Sequence, residues 1–219
     1  MILEKNTGSK IILKQQNKES VDMSLDTESS EMIMLMLSKN LYSDGIGSTI
    51  RETCSNALDS HDKAGVKEPI IVSLIDKGNN NYEFSVQDYG VGLDNDDVKN
   101  IISKYGKSTK RDSNTQLGMF GLGFKAPLAY IPSDTSNSSS FTFDCVKDGV
   151  LRSYIMYESE TGLNKIDLLY QKETTNRNGV TIKISISSKD VNVFYNKMKE
   201  QLAYFKDVYF NVNFKLGYS

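Results

Sequence analysis

The chain has 219 residues, of which 38% are hydrophobic, 10% aromatic and 25% charged, and its 26 basic and 28 acidic side chains leave a formal charge of -2. That length gives one domain or two small ones with a core that needs no staples, and the charge balance asks for no nucleic-acid partner, so no sequence-specific nucleic-acid binding is evident. Cys54 and Cys145 match no metal-ligand spacing, the lone histidine His61 poorly supports zinc, and neither a signal peptide nor a bilayer-spanning run is present. The expectation is a soluble cytoplasmic protein with two reduced core thiols, with peripheral membrane attachment left undetermined.

Residues 1 to 25 alternate at MILEK, KIILKQ and VDMSL, which predicts short strands or an N-terminal arm. ESSEMIMLMLSKNLYSD predicts a helix with a methionine-rich face, read as core packing. A glycine-containing turn at Asp44 to Gly47 leads into a second helix that ends near Gly65. EPIIVSLIDKG and NNNYEFSVQDYG predict a hairpin around a Gly and Asn turn. Asp94 is placed to cap a helix over Asn95 to Lys104, and a polar, glycine-rich loop follows from Tyr105 to Gly123. A further helix is expected from about Gly121 towards Tyr130, then an exposed loop at PSDTSNSSS and four strands, SFTFDCVKDG, VLRSYIMYES, KIDLLYQKE and GVTIKISIS. DVNVFYNKMKEQLAYF predicts a late helix and DVYFNVNF a last strand. With no repeats and no linker, residues 1–219 read as a single domain: a two-layer α/β sandwich, a mainly antiparallel mixed sheet with helices on one face. A strand so close to the C-terminus also suits a fragment of a longer protein.

The second helix carries the first chemical signal. At about 100° per residue, Asn56 and Asp59 fall within about 40° of Glu52, so two carboxylates and an amide share one strip. Ile46, Ile50, Cys54, Ala57, His61 and Ala64 fall on the other side and are free to pack, His61 among them as a packing histidine rather than a base. The strip is either a solvated face or a site where a carboxylate polarises water and an amide oxygen holds a hard cation, and the second use requires a polyanion nearby. Two glycine-rich stretches bear on that choice. VQDYGVGLD puts Asp88 at a strand end, able to accept from an exocyclic amine, with Gly90 and Gly92 letting backbone approach a flat base. GKSTKRDSNTQLGMFGLGFKAP sets Gly118, Gly121 and Gly123 before a helix, where exposed amides can nest an anion beside Lys125. Lys107, Lys110 and Arg111 are either a solvated charge run or groups that close over nucleotide. Two lookalikes fail: Ile101 stands where a P-loop needs its first glycine, and the acidic run Asp94, Asp96, Asp97 lacks the ligand spacing of an EF-hand.

The order of these motifs resembles the GHKL or Bergerat-fold ATPases, the family that includes one subunit of DNA gyrase, the large heat-shock chaperone, the mismatch-repair MutL protein and histidine-kinase ATP domains. Glu52 to Asn56 is similar to the family's ExxxN box, which implies Glu52 as the water-activating base and Asn56 as the Mg²⁺ ligand. Asp88, Gly90 and Gly92 resemble its DxGxG box, with Asp88 reading adenine, and Gly118, Gly121 and Gly123 its GxxGxG box. The stretch of about 105–120, with Lys107, would be the ATP lid, and Lys125 would stabilise phosphate charge. A closer similarity is drawn to the rIIA-like subgroup of phage rapid-lysis proteins, on LSKNLYSDGIGSTIRETCSNALDSHDKAG and FGLGFKAPLAY. It implies an infected bacterial cell, a role in lysis control or phage-host conflict, and an ATP-dependent homodimer or a phage or host protein as partner. One departure concerns the family's late-strand threonine, which directly follows a glycine. Here Val180 follows Gly179, and Thr181 falls on the wrong face unless a bulge compensates.

The resulting expectation is ATP binding with magnesium-dependent hydrolysis, with slow or absent hydrolysis in a nucleotide-gated interaction module as the alternative. A histidine kinase is disfavoured, because no phospho-acceptor helix accompanies the domain. A topoisomerase fragment finds no positive support in the residues alone.

Overall fold

The computed structural model describes residues 3–5, 11–13, 43–102, 123–133, 139–159 and 164–213. The expected methionine-rich helix, VDMSL and the stretch from 103 to 122 lie outside them. Near the N-terminus, within a unit spanning residues 1 to 30, β1 (Leu3–Lys5) and β2 (Ile11–Leu13) pair antiparallel, Leu3 opposite Leu13.

The larger unit, residues 31 to 219, is built on a seven-stranded sheet. Its strands are β3 (Ile70–Asp76), β4 (Tyr82–Gln87), β5 (Ser140–Lys147), β6 (Val150–Glu158), β7 (Asn164–Glu173), β8 (Gly179–Ile186) and β9 (Val208–Asn213), in the order β7-β6-β5-β8-β4-β3-β9. Every pairing is antiparallel except that of β9 with β3, so the sheet is mixed. The β3–β4 hairpin turns at Gly78, Asn79 and Asn80, all with positive φ, the conformation that selects Gly and Asn.

The alternation of β8 shows which face is the core. Val180, Ile182, Ile184 and Ile186 are buried with Phe84, Val86, Val72 and Leu74 of the neighbouring strands, and the helices cover this side. The main covering element is α1 (Gly45–Ala64), which lays Ile50, Cys54 and Ala57 into the core. It starts earlier than the expected turn would allow, because Asp44 accepts from Gly47 N at 2.9 Å and caps it, and it stops at left-handed Gly65. Beside it α3 (Val191–Gln201) buries Val191, Phe194 and Met198, and is tied to α1 through Lys197 to Asp44 at 2.8 Å and Arg51 to Gln201 at 3.0 Å. Cys54 and Cys145 are buried free thiols, and burial pushes the Cys54 thiol up to about 12.

Two expected helices differ. Over Asn95 to Lys104 the α-helical part, α2 (Asn95–Asp97), is three residues long and continues as a π turn, Val98–Ile102. Its acidic residues have structural partners: Asp94 and Asp97 form a capping box, and both hold the Lys147 ammonium, at 2.9 and 2.7 Å. The segment expected to be helical from Gly121 is a 3-10 helix, Gly123–Ala129, containing Pro127. It is pinned at its end by Tyr130, whose hydroxyl donates to Asp190 at 2.8 Å and accepts from Ser187 N at 3.0 Å.

Candidate functional site

The polar strip of α1 is met by the 3-10 helix. Thr49 Oγ1 donates to the Ala126 carbonyl at 3.1 Å, both residues buried, and this fixes the middle of the 3-10 segment against the helix. Gly123 then lies directly on the strip: a Cβ built on it would sit 3.1 Å from Glu52 Oε2 and 3.5 Å from Asn56 Nδ2. A glycine main chain, a carboxylate and an amide thus converge, although Glu52 and Gly123 are far apart in sequence. The Glu52 side chain is 18% exposed, with Arg51 Nε 3.7 Å away. Asn56 Nδ2 is buried and has no hydrogen-bond partner among the described residues. Buried polar atoms are normally satisfied, so an orphan at this point leaves a donor position open. Asp59 is half-buried further along the same strip.

At the other end of the strip stands the Asp88 turn. Asp88 is buried at the end of β4, its main-chain N–H donating to Val180 O at 2.9 Å and its Oδ1 accepting from Gly90 N at 2.8 Å. Burial pushes its carboxyl above the usual carboxylate range, against the pull of hydrogen bonds from Gly90 and Ser60. The two glycines of this turn do something other than expected. The space each leaves is filled by protein rather than left open to a base: a Cβ on Gly90 would lie 2.0 Å from Ser60 Oγ, and one on Gly92 would lie 2.0 Å from Val146 O. They seat the turn on α1 and on β5.

His61 is buried on the packing side of α1 and hydrogen-bonded at both ring nitrogens. Nε2 accepts from Tyr89 N at 2.8 Å, and Nδ1 faces the Glu68 carbonyl at 3.0 Å. A carbonyl can only accept and an amide N–H can only donate, so the neutral Nδ1–H tautomer is fixed by its partners. Sequence reasoning assigned no role to Ser60, although its place four residues after Asn56 continues the strip and was the available signal.

Lys125 is buried on the 3-10 helix, and that burial holds its ammonium down to about 8. An unfolded chain keeps this proton up to the ordinary lysine range, so between the two values the unfolded state binds more protons and the folded state gains stability as pH rises. Denaturant unfolding across that window should show the gain in the wild type and lose it in Lys125→Met. An equal slope in both would mean that Lys125 keeps its charge in the folded chain without cost.

Thr181 does not join these residues. It pairs in unbroken register with Gln87 and Asp144, so no bulge turns it round, and it faces away from the helices while Val180 and Ile182 enter the core. There, with Gln87, Asp144 and Arg177, it lines a cavity of about 470 Å³ that Asp88 borders from the strand end. This is the face expected of Thr181 on a strand without a bulge. Lys107, Gly118, Gly121 and the expected lid at about 105–120 lie outside the described residues.

A mixed sheet covered on one face by helices, with an acidic-amide helix strip meeting a glycine-rich segment at one end and a strand-end aspartate at the other, is the Bergerat-type α/β sandwich of the GHKL ATPases. Residues 45–140 match the family model described as histidine kinase-, DNA gyrase B-, and HSP90-like ATPase. Among curated proteins, the type 2 DNA topoisomerase 6 B-subunit of Saccharolobus islandicus (strain Y.N.15.51 / Yellowstone #2) is 34% identical over 84 residues, 37% of this chain and 16% of that protein. Its counterparts from Saccharolobus solfataricus and Saccharolobus shibatae show the same identity over the same length. The chain therefore covers about a sixth of the length of these relatives.

These matches overturn the rIIA-like expectation, and with it the phage, lysis-control and infected-host setting: the relatives found are archaeal topoisomerase subunits. The physical reason is plain in the stretches that suggested it. Both consist largely of the acidic-amide helix and the glycine-rich box, which the whole family shares, so they cannot separate one branch from another. The topoisomerase relationship, for which the residues alone offered no support, gains it here. Among the described residues no helix is long and apolar enough to cross a membrane.

Proposed function

We propose that this chain binds ATP with Mg²⁺ and hydrolyses it. The observation that carries the reading is the meeting of Glu52, Asn56 and Gly123, with a buried amide nitrogen of Asn56 that has no partner among the described residues. A side-chain amide offers its oxygen or its nitrogen by a half-turn about one bond, so Asn56 is suited to hold a hard cation through oxygen. The cation, when bound, would neutralise charge on the phosphates. Glu52 orients and deprotonates the attacking water, the role for which a carboxylate needs only hydrogen-bond reach. Main-chain N–H groups of the glycine-rich segment and the Lys125 ammonium hold phosphate oxygens, and Asp88 accepts from the adenine amine. The rise along α1 from Glu52 to Ser60, which abuts the Asp88 turn, is roughly 12 Å, enough to separate a phosphate end from a base end. The names of the relatives add a setting, a type 2 DNA topoisomerase, in which this region would serve as the nucleotide-binding part.

Calorimetric titration with a non-hydrolysable ATP analogue tests the pocket before any question of turnover. Saturable binding that strengthens with Mg²⁺ is expected in the wild type, and Asp88→Asn should weaken it by about 10-fold or more, because a donor replaces or displaces the acceptor. Failure of the wild type to bind in either condition would end this reading.

A further inference from the structure

We propose that Tyr130 and Asp190 are positioning residues for phosphate binding: their buried hydrogen-bonded pair holds the 3-10 helix, and with it Gly123 and Lys125, in place over the polar strip of α1. The inference rests on the nucleotide-binding reading and deepens it.

The 3-10 helix depends on outside contacts for its position. Hydrogen-bond geometry in such a helix is poorer than in an α-helix, and Pro127 removes one donor from this segment of seven residues. Thr49 fixes the middle through the Ala126 carbonyl. At the end, Gly45 at the start of α1 admits the Ala129 carbonyl so closely that an added Cβ would lie 2.4 Å from its oxygen. Tyr130 follows at once, buried, with its ring edge-on to Phe194 of α3 at 4.9 Å between centroids.

Asp190 receives the tyrosine. It stands at the N-cap of α3, yet its side chain caps no amide of that helix. Both carboxylate oxygens turn instead to the chain that follows the 3-10 helix. Oδ2 accepts from the Tyr130 hydroxyl at 2.8 Å and from Ser133 N at 3.0 Å, and Oδ1 accepts from the Ser133 hydroxyl. The Tyr130 hydroxyl in turn accepts from Ser187 N at 3.0 Å, so one donor and one acceptor fix its rotation. An aspartate at an N-cap ordinarily accepts from its own helix, so this carboxylate gives up that bond to hold the end of the glycine-rich segment. From Gly123 to Tyr130 a 3-10 path covers only about 14 Å, with Lys125 between them. Main-chain donors aimed at phosphate act best when their position is set before the ligand arrives, because nothing then has to be reordered.

The test is Tyr130→Phe and Asp190→Asn, each titrated with a non-hydrolysable ATP analogue in Mg²⁺ and with adenosine, which has no phosphate. Phe keeps the ring against Phe194 and removes the hydroxyl, and Asn keeps the shape but sets an amide NH₂ against donors. Affinity for the ATP analogue should fall about 10-fold in either variant, while adenosine, held at the Asp88 end, should bind as in the wild type. In the double variant the loss should be smaller than the two single losses combined, since both remove one shared bond. Unchanged affinity for the ATP analogue in the single variants overturns the inference. Equal losses for the ATP analogue and adenosine also overturn it, because the pair would then be supporting the fold as a whole. Should both variants fail to fold, Ser133→Ala, at an exposed position, decides by the same comparison. If Asp88→Asn weakens adenosine binding while the Tyr130 and Asp190 variants bind the ATP analogue normally, the nucleotide reading stands and this inference falls. If the wild type binds neither ligand, both fall.

Discussion

Replacing Glu52 by Gln should reduce ATP turnover by roughly 10²-fold to 10⁴-fold while leaving the affinity for a non-hydrolysable ATP analogue close to that of the wild type. The split is what identifies a general base: a group needed only when a water proton leaves contributes to the transition state and little to ground-state binding. Gln preserves the shape and the contact with Gly123, whose Cα faces Glu52 Oε2, and removes only the basicity. Single-turnover phosphate release, measured on protein purified away from host ATPases, reads the effect directly. Normal turnover in the variant would remove Glu52 from the mechanism and would leave Asn56, on the same strip, as a binding group alone. A parallel fall in affinity and turnover would say that Glu52 holds the glycine-rich segment in place rather than acting on water.

The helix strip was legible because helical geometry is local. Glu52, Asn56 and Asp59 share a face in any α-helix, and the packing residues Ile50, Cys54 and Ala57 had to share the other. The strands were legible for the same reason, since period-two alternation in GVTIKISI and in the β3–β4 hairpin needs no long-range information. Even the displaced threonine could be read: an unbulged strand sends Thr181 to the face opposite Val180, and the register shows no bulge.

What could not be read depended on distant partners. The acidic run after Gly92 is explained by Lys147, some fifty residues away, which Asp94 and Asp97 both bind. The expected α-helix at Asn95 to Lys104 gives way to a π turn after three residues, and nothing in the local sequence announces it. Ser60 looked like an ordinary helix position because its partner, the main-chain N–H of Val91, is reached only when the chain returns beside α1 after β4. The rIIA-like similarity misled for a related reason. Residues that bind nucleotide are under the same chemical constraint in every branch, so the stretches richest in motif are the poorest guides to lineage.

Gly92→Ala should be among the most destabilising single-methyl additions in the chain, by roughly 2–5 kcal/mol, through two separable causes. Gly92 has φ +67°, a conformation that L side chains rarely adopt, and its added Cβ would lie 2.0 Å from the Val146 carbonyl oxygen and 3.3 Å from Gly179 N. Those are main-chain atoms of paired strands, Val146 opposite Gly179, so neither can step aside without breaking the ladder that carries the Asp88 turn. Gly65 supplies the control. It has the same φ of +67°, as the left-handed cap of α1, but nothing lies within 4 Å of its missing Cβ. Gly65→Ala should therefore cost only the backbone term, roughly 1 kcal/mol. Urea unfolding of both variants isolates the difference as a midpoint shift at constant m. Equal shifts would show that β5 yields to the methyl group. A larger shift at Gly92 shows that the second glycine of the aspartate motif is required by the packing of the turn on the sheet, before any base reaches it.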